Sequence, residues 1–292
     1  MTEIGIILLN HKSSYFLDSL YSNISDNISI NFDKWLFLIV DNSIDNNESI
    51  IIRKFANNKK NVKVIFSKEN KGYAHGNNLG LNYLYEHKIN YGLIVNPDII
   101  FLTPNFFYDF LNLIKTNESI CIVGPKLIDS YGKEISLITK MNLINAVIDY
   151  NPIYTDSNSK KVYATIGCCL FIDIFKFKQI NFLDERTFLY REEQILAEKL
   201  IKNQLLWFVI PGIKVIHNHI RKVENPKKLL AHKIHEFNST KIYFKEYLNY
   251  KSIYVFIYSI LFFLKTILHY GYVLINNILN ETKKKYLGNR SL

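Results

Sequence analysis

Residues 91–98 read Tyr91-Gly92-Leu93-Ile94-Val95-Asn96-Pro97-Asp98. The continuous apolar run Tyr91 to Val95 predicts a strand buried on both faces of a sheet. Pro97 cannot donate to a ladder, so it ends the strand and leaves Asp98 at the mouth of the sheet. Working outward, Ile4 to Leu9, Trp35 to Val40, Val62 to Phe66 and Ile120 to Val123 have the same character. Between them Ser13 to Ser22, Glu48 to Asn57, Ala74 to Glu86 and Asn105 to Lys115 are long enough for crossover helices. Thr103-Pro104 supplies a capping signal for the last of these. This alternation predicts an α/β fold with a doubly wound, mostly parallel sheet, which binds ligands at the carboxyl ends of its strands.

After Gly124 the rhythm changes. Asp129 to Gly132 reads as a turn, 151–161 as a polar mobile loop, and Tyr163 to Ile172 as a strand. Glu192 to Asn203 predicts a helix, followed by strands at Leu206 to Ile210 and Lys214 to His217 and a helical stretch from Pro226 to Asn249. The segment 252–279 is strongly apolar, yet Lys251, Tyr254, Tyr258, Lys265, His269, Tyr272 and Asn276 recur at helical spacing and share one face. Three readings stay open. One is a helix lying in a membrane interface, with Tyr and Lys at headgroup depth and Lys283 to Lys285 drawn to anionic lipid. The others are a packing or dimer helix, and a true span, against which the central Lys265 counts.

The 292 residues are 48% hydrophobic and 21% charged, enough apolar matter for a large core, which excludes general disorder and fibrous repeats. Thirty-six basic against 26 acidic residues give a net charge of +10, which favours phosphate-rich or anionic partners. The basic residues are scattered rather than gathered with aromatics, so a nucleic-acid surface is not expected. Cys121, Cys168 and Cys169 sit in apolar runs and predict buried thiols in a reducing cytoplasm. The opening MTEIGIILLN has no basic region and too short an apolar run for a signal peptide.

Four polar clusters fall at predicted strand or helix ends. Asp41-Asn42-Ser43 closes the second strand, where a carboxylate can accept hydrogen bonds from a base or ribose. The stretch 69–80, ENKGYAHGNNLG, follows the third and brings three glycines to a strand-to-helix junction, where backbone can approach a ligand closely. Asn96-Pro97-Asp98 ends the fourth, and a divalent ion on a diphosphate takes one or two carboxylates from protein. Taken singly, each is equally a turn. Glu192 and Glu193 open a helix, where adjacent side chains diverge by about 100°, so one of them faces a cleft. His217 and His219 point to one side of a strand.

The ordered set VDNSIDN, ENKGYAHGNNLG, IVNPDIIF, VGPKL, DSYGK, ATIGCCLFI, NFLDERTFLYREEQILAEKL and VIHNH resembles the inverting glycosyltransferases of family 2, in particular their bacterial rhamnosyltransferase-like branch. The resemblance covers roughly residues 3 to 220. It implies a GT-A-type Rossmann-like domain over 1–220, with a nucleotide-binding half (1–125) and an acceptor half (126–220), and a helical C-terminal extension over 221–292. It implies a nucleoside-diphosphate sugar, dTDP- or UDP-linked, at Asp41, Asn42, Asn70, Gly72, Asn77, Asn78, Asn96 and Asp98. Asp98 matches the surviving acid of a metal-binding DxD and, with His217, would hold Mg²⁺ or Mn²⁺; Asn96 takes the first position as a weaker ligand. Glu193 replaces the usual catalytic aspartate, with Glu192 orienting a neighbour or binding acceptor. Asp184, Glu185 and Tyr190 fall to the acceptor, where Asn181-Phe182 replaces a common Gly-Gly. The implied enzyme is a transferase of a hexose or deoxyhexose, rhamnose among them, to a lipid-linked or growing bacterial surface glycan, cytoplasmic and peripheral on the inner face of the cell membrane. Two rivals stand beside it: a non-catalytic membrane scaffold, and a sugar nucleotidyltransferase, for which Leu9 to Ser13 supplies no phosphate loop.

Overall fold

The computed structural model describes residues 3–28, 34–104, 106–135, 137–148, 160–218 and 226–288. They form two compact units, residues 1–140 with 151–219, and residues 141–150 with 220–292. His219 and the greater part of the expected loop over 151–161 lie outside the described residues.

The first unit is built on strands β1 (Glu3–Asn10), β2 (Lys34–Asp41), β3 (Val62–Phe66), β4 (Tyr91–Val95), β5 (Ile99–Phe101), β6 (Ile120–Ile128), β7 (Lys160–Val162), β8 (Cys169–Asp173) and β9 (Leu206–His217). They make one sheet in the order β3-β2-β1-β4-β8-β6-β9-β5, with β7 pairing β9. The pairs among β1 to β4 are parallel, as their unbroken apolar runs require. Beyond β4 the sheet is mixed: β8 runs antiparallel to β4 and β6, and β5 and β7 run antiparallel to β9.

Both faces are covered. Ile4, Ile6 and Leu8 of β1 face a layer that includes Leu20 and Ile24 of α1 (Leu17–Ile28) and Phe106, Phe107 and Phe110 of α4 (Phe106–Thr116). Ile7 faces the other way, into a layer with Leu81 and Leu84 of α3 (Tyr73–Glu86), Ile174 and Phe177 of α6 (Ile174–Gln179) and Leu196 and Leu200 of α7 (Glu192–Lys202). Helix α2 (Asn46–Ala56) is capped by Asp45, whose carboxylate accepts the backbone N–H groups of Asn47 and Glu48. The three cysteines are buried and free.

Several local expectations are corrected. The Thr103 Oγ1 accepts the Lys214 N–H at 3.0 Å and donates to the Gly212 carbonyl, which ties the approach to α4 onto β9; the residue after Pro104, on which the expected cap depends, lies outside the described residues. The strand expected over 163–172 starts only at Cys169, since residues 163–168 leave the sheet except for a bridge from Ala164 to Ile138. The two strands expected at 206–210 and 214–217 are one strand, and residues 211–213 bulge where β6 steps directly from Pro125 to Lys126.

The second unit contains α5 (Leu143–Ile148), α8 (Pro226–Ile242), a π-helical turn at Tyr243–Tyr247 and the long α9 (Ser252–Gly288). Tyr258 of α9 stacks on Phe237 of α8 and meets Phe244 edge-on at 5.1 Å. The polar row expected on α9 divides: Tyr258 is buried and Lys265 and His269 are half-buried, while Lys251, Tyr254 and Tyr272 are exposed beside Phe256, Ile260, Phe263 and Leu268. The aromatic contacts with α8 hold Tyr258 inward.

One glycine joins the two halves of the sheet unit. Gly72 holds φ at +97°, and a Cβ there would lie 2.1 Å from the Phe188 carbonyl oxygen, a backbone atom that cannot swing aside. Gly72→Ala is expected to cost about 1–3 kcal/mol in urea unfolding. Gly132→Ala, at φ +79° with nothing within 4 Å, should cost less because it adds backbone strain without a clash.

Candidate functional site

The carboxyl ends of β4 and β9 open onto a cleft of about 610 Å³. Asn96, Asp98 and His217 line one side, Glu192 and Glu193 another, with Tyr73, Gly167 and Tyr190 between them. Strand pairing builds the first group. Ile99 of β5 sits opposite His217 of β9, and the Asn218 N–H donates to the Asp98 carbonyl at 3.0 Å. The His217 Nε2 consequently stands 3.4 Å from the Asp98 Oδ2. A carboxylate and an imidazole so close suit a divalent ion such as Mn²⁺. Among the described residues no group of three His, Cys, Asp or Glu side chains could hold a metal. Asp98 and His217 would thus supply two ligands, a carboxylate and an imidazole, to such an ion. Asn96 reaches the same cleft, its N–H fixed on the Cys168 carbonyl at 2.8 Å.

The second group depends on a strained entry to α7. Tyr190 and Arg191 both have positive φ, 75° and 68°, and this double left-handed turn sets Glu192 and Glu193 in the first turn of the helix. Both glutamates line the cleft, where the 100° argument placed one. Their surroundings differ. The Glu193 Oε1 accepts the Gly167 N–H at 2.9 Å. The Glu192 Oε1 is buried with no hydrogen-bond partner. Burial first, and then the charge of Glu193, pushes the Glu192 carboxyl up to about 8. Burial also raises Glu193, opposed by the Gly167 N–H. At neutral pH Glu192 therefore keeps its proton, while the Gly167 N–H favours the charged form of Glu193 against its burial.

Around the expected nucleotide pocket the side chains form a connected network. Asp41 is buried, and its Oδ1 accepts the Asn10 amide at 3.0 Å and the Ser43 N–H at 3.1 Å. Its Oδ2 accepts the Ser49 hydroxyl at 3.3 Å. Asn42 donates to the Asn70 Oδ1 at 2.8 Å and to the Gly72 carbonyl at 3.3 Å, while its own buried Oδ1 has no partner. Asn70 also accepts the Gly72 N–H at 3.0 Å. Asn77 donates to the Tyr73 carbonyl, and its Oδ1 is likewise unpartnered. Asn78 is engaged elsewhere: its amide donates to the Leu183 carbonyl and the Glu185 Oε1, and its Oδ1 accepts the Leu183 N–H.

The three acceptor candidates separate. Tyr190 lines the cleft. Glu185 is held by Asn78 and, at 2.7 Å, by the His75 Nδ1. Asp184 grips its neighbour Arg186 through both carboxylate oxygens. Neither carboxylate is among the cleft's lining residues.

Three contributors, Tyr73, Gly167 and Asn10, were assigned no role from sequence. The Tyr73 hydroxyl donates to the Gly167 carbonyl at 2.6 Å, and the Tyr73 N–H donates to the Phe188 carbonyl at 3.0 Å. Gly167 was visible as the one glycine in ATIGCCLFI, a signal for close approach. Nothing local marks Asn10, whose amide also reaches Ser43 and Glu48.

Residues 4–180 match the family model for glycosyl transferase family 2. The low-salt glycan biosynthesis hexosyltransferase Agl10 of Haloferax volcanii is 29% identical over 202 residues, which is 66% of this chain and 60% of that protein. The chain thus spans less than two thirds of this curated relative. Among solved structures, GalNAc-T7 with UDP, GalNAc and Mn²⁺ superposes with a TM-score of 0.61 at 12% identity, covering 83% of this chain and 48% of that one. The mannosyltransferase PcManGT from Pyrobaculum calidifontis, in complex with GDP-Man and Mn²⁺, gives 0.55 at 10%, over 81% and 62%. S. aureus TarS gives 0.52 at 14%, over 80% and 64%. At these identities the likeness is one of fold, the GT-A type.

The raised carboxyl of Glu192 fixes a pH dependence. Between the ordinary carboxylate range and about 8 the folded state binds a proton that the unfolded chain releases, so stability is lost as pH rises through that window. The slope reaches at most about 1.4 kcal/mol per pH unit. Thermal melts from pH 5 to 9 should show the fall in the parent and a flatter curve in Glu192→Gln.

Proposed function

The chain belongs to glycosyl transferase family 2, and on that premise we propose that it transfers a sugar, with inversion, from a nucleoside-diphosphate donor to a lipid-linked or growing surface glycan. The observation that carries this reading is the placement of Glu193, held on the Gly167 N–H, in one cleft with Asp98 and His217.

Inverting transfer needs a base that removes the acceptor hydroxyl's proton while its oxygen attacks the anomeric carbon from the face opposite the leaving diphosphate. Glu193 takes that proton. Glu192, keeping its own proton, adds no second negative charge beside an incoming hydroxyl. Asp98 and His217 hold the divalent ion, which when bound offsets the charge on the departing diphosphate. The unpartnered Oδ1 atoms of Asn42 and Asn77 await hydrogen-bond donors on the nucleoside side. Asp41 supports that side by fixing Asn10 and the Ser43 backbone. Tyr190 receives the acceptor, while Asp184 and Glu185 shape the loop leading to it.

UDP in the GalNAc-T7 structure, GDP-Man in the PcManGT structure and the hexosyltransferase relative support an NDP-hexose or NDP-deoxyhexose donor. The motif order supports the bacterial rhamnosyltransferase-like branch, with a dTDP- or UDP-linked donor. The same order supports a domain over 1–220, divided near 125 into donor and acceptor halves, followed by a helical extension over 221–292. The glycan-biosynthesis relative and the apolar α9 support work at the inner face of the cell membrane, where a lipid-linked acceptor resides.

Purified full-length protein with Mn²⁺ should turn over a dTDP- or UDP-sugar. Glu193→Gln is expected to lose about 10²–10⁴-fold in kcat with nucleotide affinity kept. Asp98→Ala and His217→Ala should instead weaken Mn²⁺-dependent nucleotide binding in calorimetry. Full turnover in both Glu193→Gln and Asp98→Ala would overturn the mechanism.

A further inference from the structure

Helix α9 turns a broad, largely apolar surface to solvent. Ser252–Asn276 is long and apolar enough to cross a membrane, and few of its residues are buried. The exposed positions, among them Ile253, Ile260, Phe263, Ile267 and Leu268, spread over an arc of roughly 200° at 100° per residue. The charged Lys265 and His269 lie on the opposite, half-buried side. Water-soluble helices show the reverse arrangement, and a single partner helix would cover a stripe of only about 100°.

Three polar side chains beside the exposed surface, Ser259, Thr266 and Lys233, have partners within the protein. Beside α8 the outer face narrows to a groove of about 520 Å³, lined by Leu230, Ile234, Phe237, Ile260, Phe263 and Leu264 together with a few polar neighbours. The Ser259 hydroxyl donates to the Val255 carbonyl and the Thr266 hydroxyl to the Phe262 carbonyl, each at 2.8 Å. The Lys233 Nζ stands 2.8 Å from the Glu236 Oε2 and 5.7 Å from the centre of the Phe262 ring. In hydrocarbon every polar group must find its partner within the protein, and these have done so. Lys251 precedes the helix and Lys283, Lys284 and Lys285 follow the apolar stretch, which places cations where lipid phosphates lie.

We propose that the outer arc of α9 lies among the acyl chains of an anionic bilayer and that the α8–α9 groove takes one of those chains. This rests on the membrane placement in the proposed function and goes deeper than a headgroup contact; it does not depend on sugar transfer.

The test uses the full chain and vesicles of phosphatidylcholine and phosphatidylglycerol carrying bromine at mid-acyl depth. The native Trp35 and Trp207 belong to the sheet unit and set the background. Leu268→Trp on the outer arc and Phe263→Trp at the groove should each add emission that mid-chain bromine quenches more than a headgroup-level quencher does. The pair Leu264→Asp with Leu268→Asp should lose co-sedimentation with vesicles while keeping nucleotide binding. Should either variant fail to fold, photolabelling of the parent by a fatty acid with a mid-chain diazirine should mark α8 and α9 peptides. Emission blind to mid-chain bromine, labelling confined to other peptides, or a lipid-free dimer that shields residue 268 would overturn the proposal. Donor turnover enters none of these readouts, so failure of the sugar-transfer reading is seen separately.

Discussion

Gly167 uses both of its backbone groups to tie the two sides of the cleft together. Its carbonyl accepts the Tyr73 hydroxyl from the first turn of α3, and its N–H is accepted by Glu193 at the start of α7. A side chain at this position would press on both partners, since a Cβ would lie 3.2 Å from the Glu193 Oε1 and from the Tyr73 hydroxyl. The bond to Glu193 has an electrostatic effect as well as a positional one. An N–H aimed at a buried carboxylate favours its charged form and so opposes the effect of burial on Glu193. The Oε1 of Glu192 has no such partner, and burial dominates there.

The remainder of the cleft is assembled by strands that meet at their ends. Asp98 follows a proline that stops β4, and β5 then turns to pair with β9, so the carboxylate arrives beside a histidine more than a hundred residues later in the chain. Double positive φ at Tyr190 and Arg191 is costly for residues with side chains, and the Tyr73 N–H and Gly72 packed against Phe188 help to hold that loop. Local strain and long-range pairing together put four ionisable groups around one volume.

Much of the nucleotide half was legible because its signals are local. Strands buried on both faces announce themselves as unbroken apolar runs, and β3 and β4 begin and end where those runs do. Pro97 marked the strand end, and the sequence placed Asp98 and Glu193 on cleft-facing ends. What was not legible depended on distant partners. Thr103 has the local marks of a cap, but nothing local shows that its hydroxyl also binds backbone groups of β9 more than a hundred residues away. Asp41 stands at its expected strand end, but only the fold reveals that Asn10, Ser43 and Ser49 occupy its oxygens. Helical periodicity put the polar residues of α9 on one face without saying which of them turn inward; the aromatic contacts with α8 decide it for Tyr258.

The bulge in β9 separates two registers within one strand. Before it, Trp207 to Ile210 keep step with Ile122 to Pro125; after it, Lys214 to Ile216 resume pairing as though residues 211–213 were absent. Thr103 clasps the looped-out segment through Gly212 and Lys214. Pro211 and Ile213 are buried, so the detour is packed in place rather than loose. The three-residue detour thus works as a fixed spacer that brings His217 opposite Ile99.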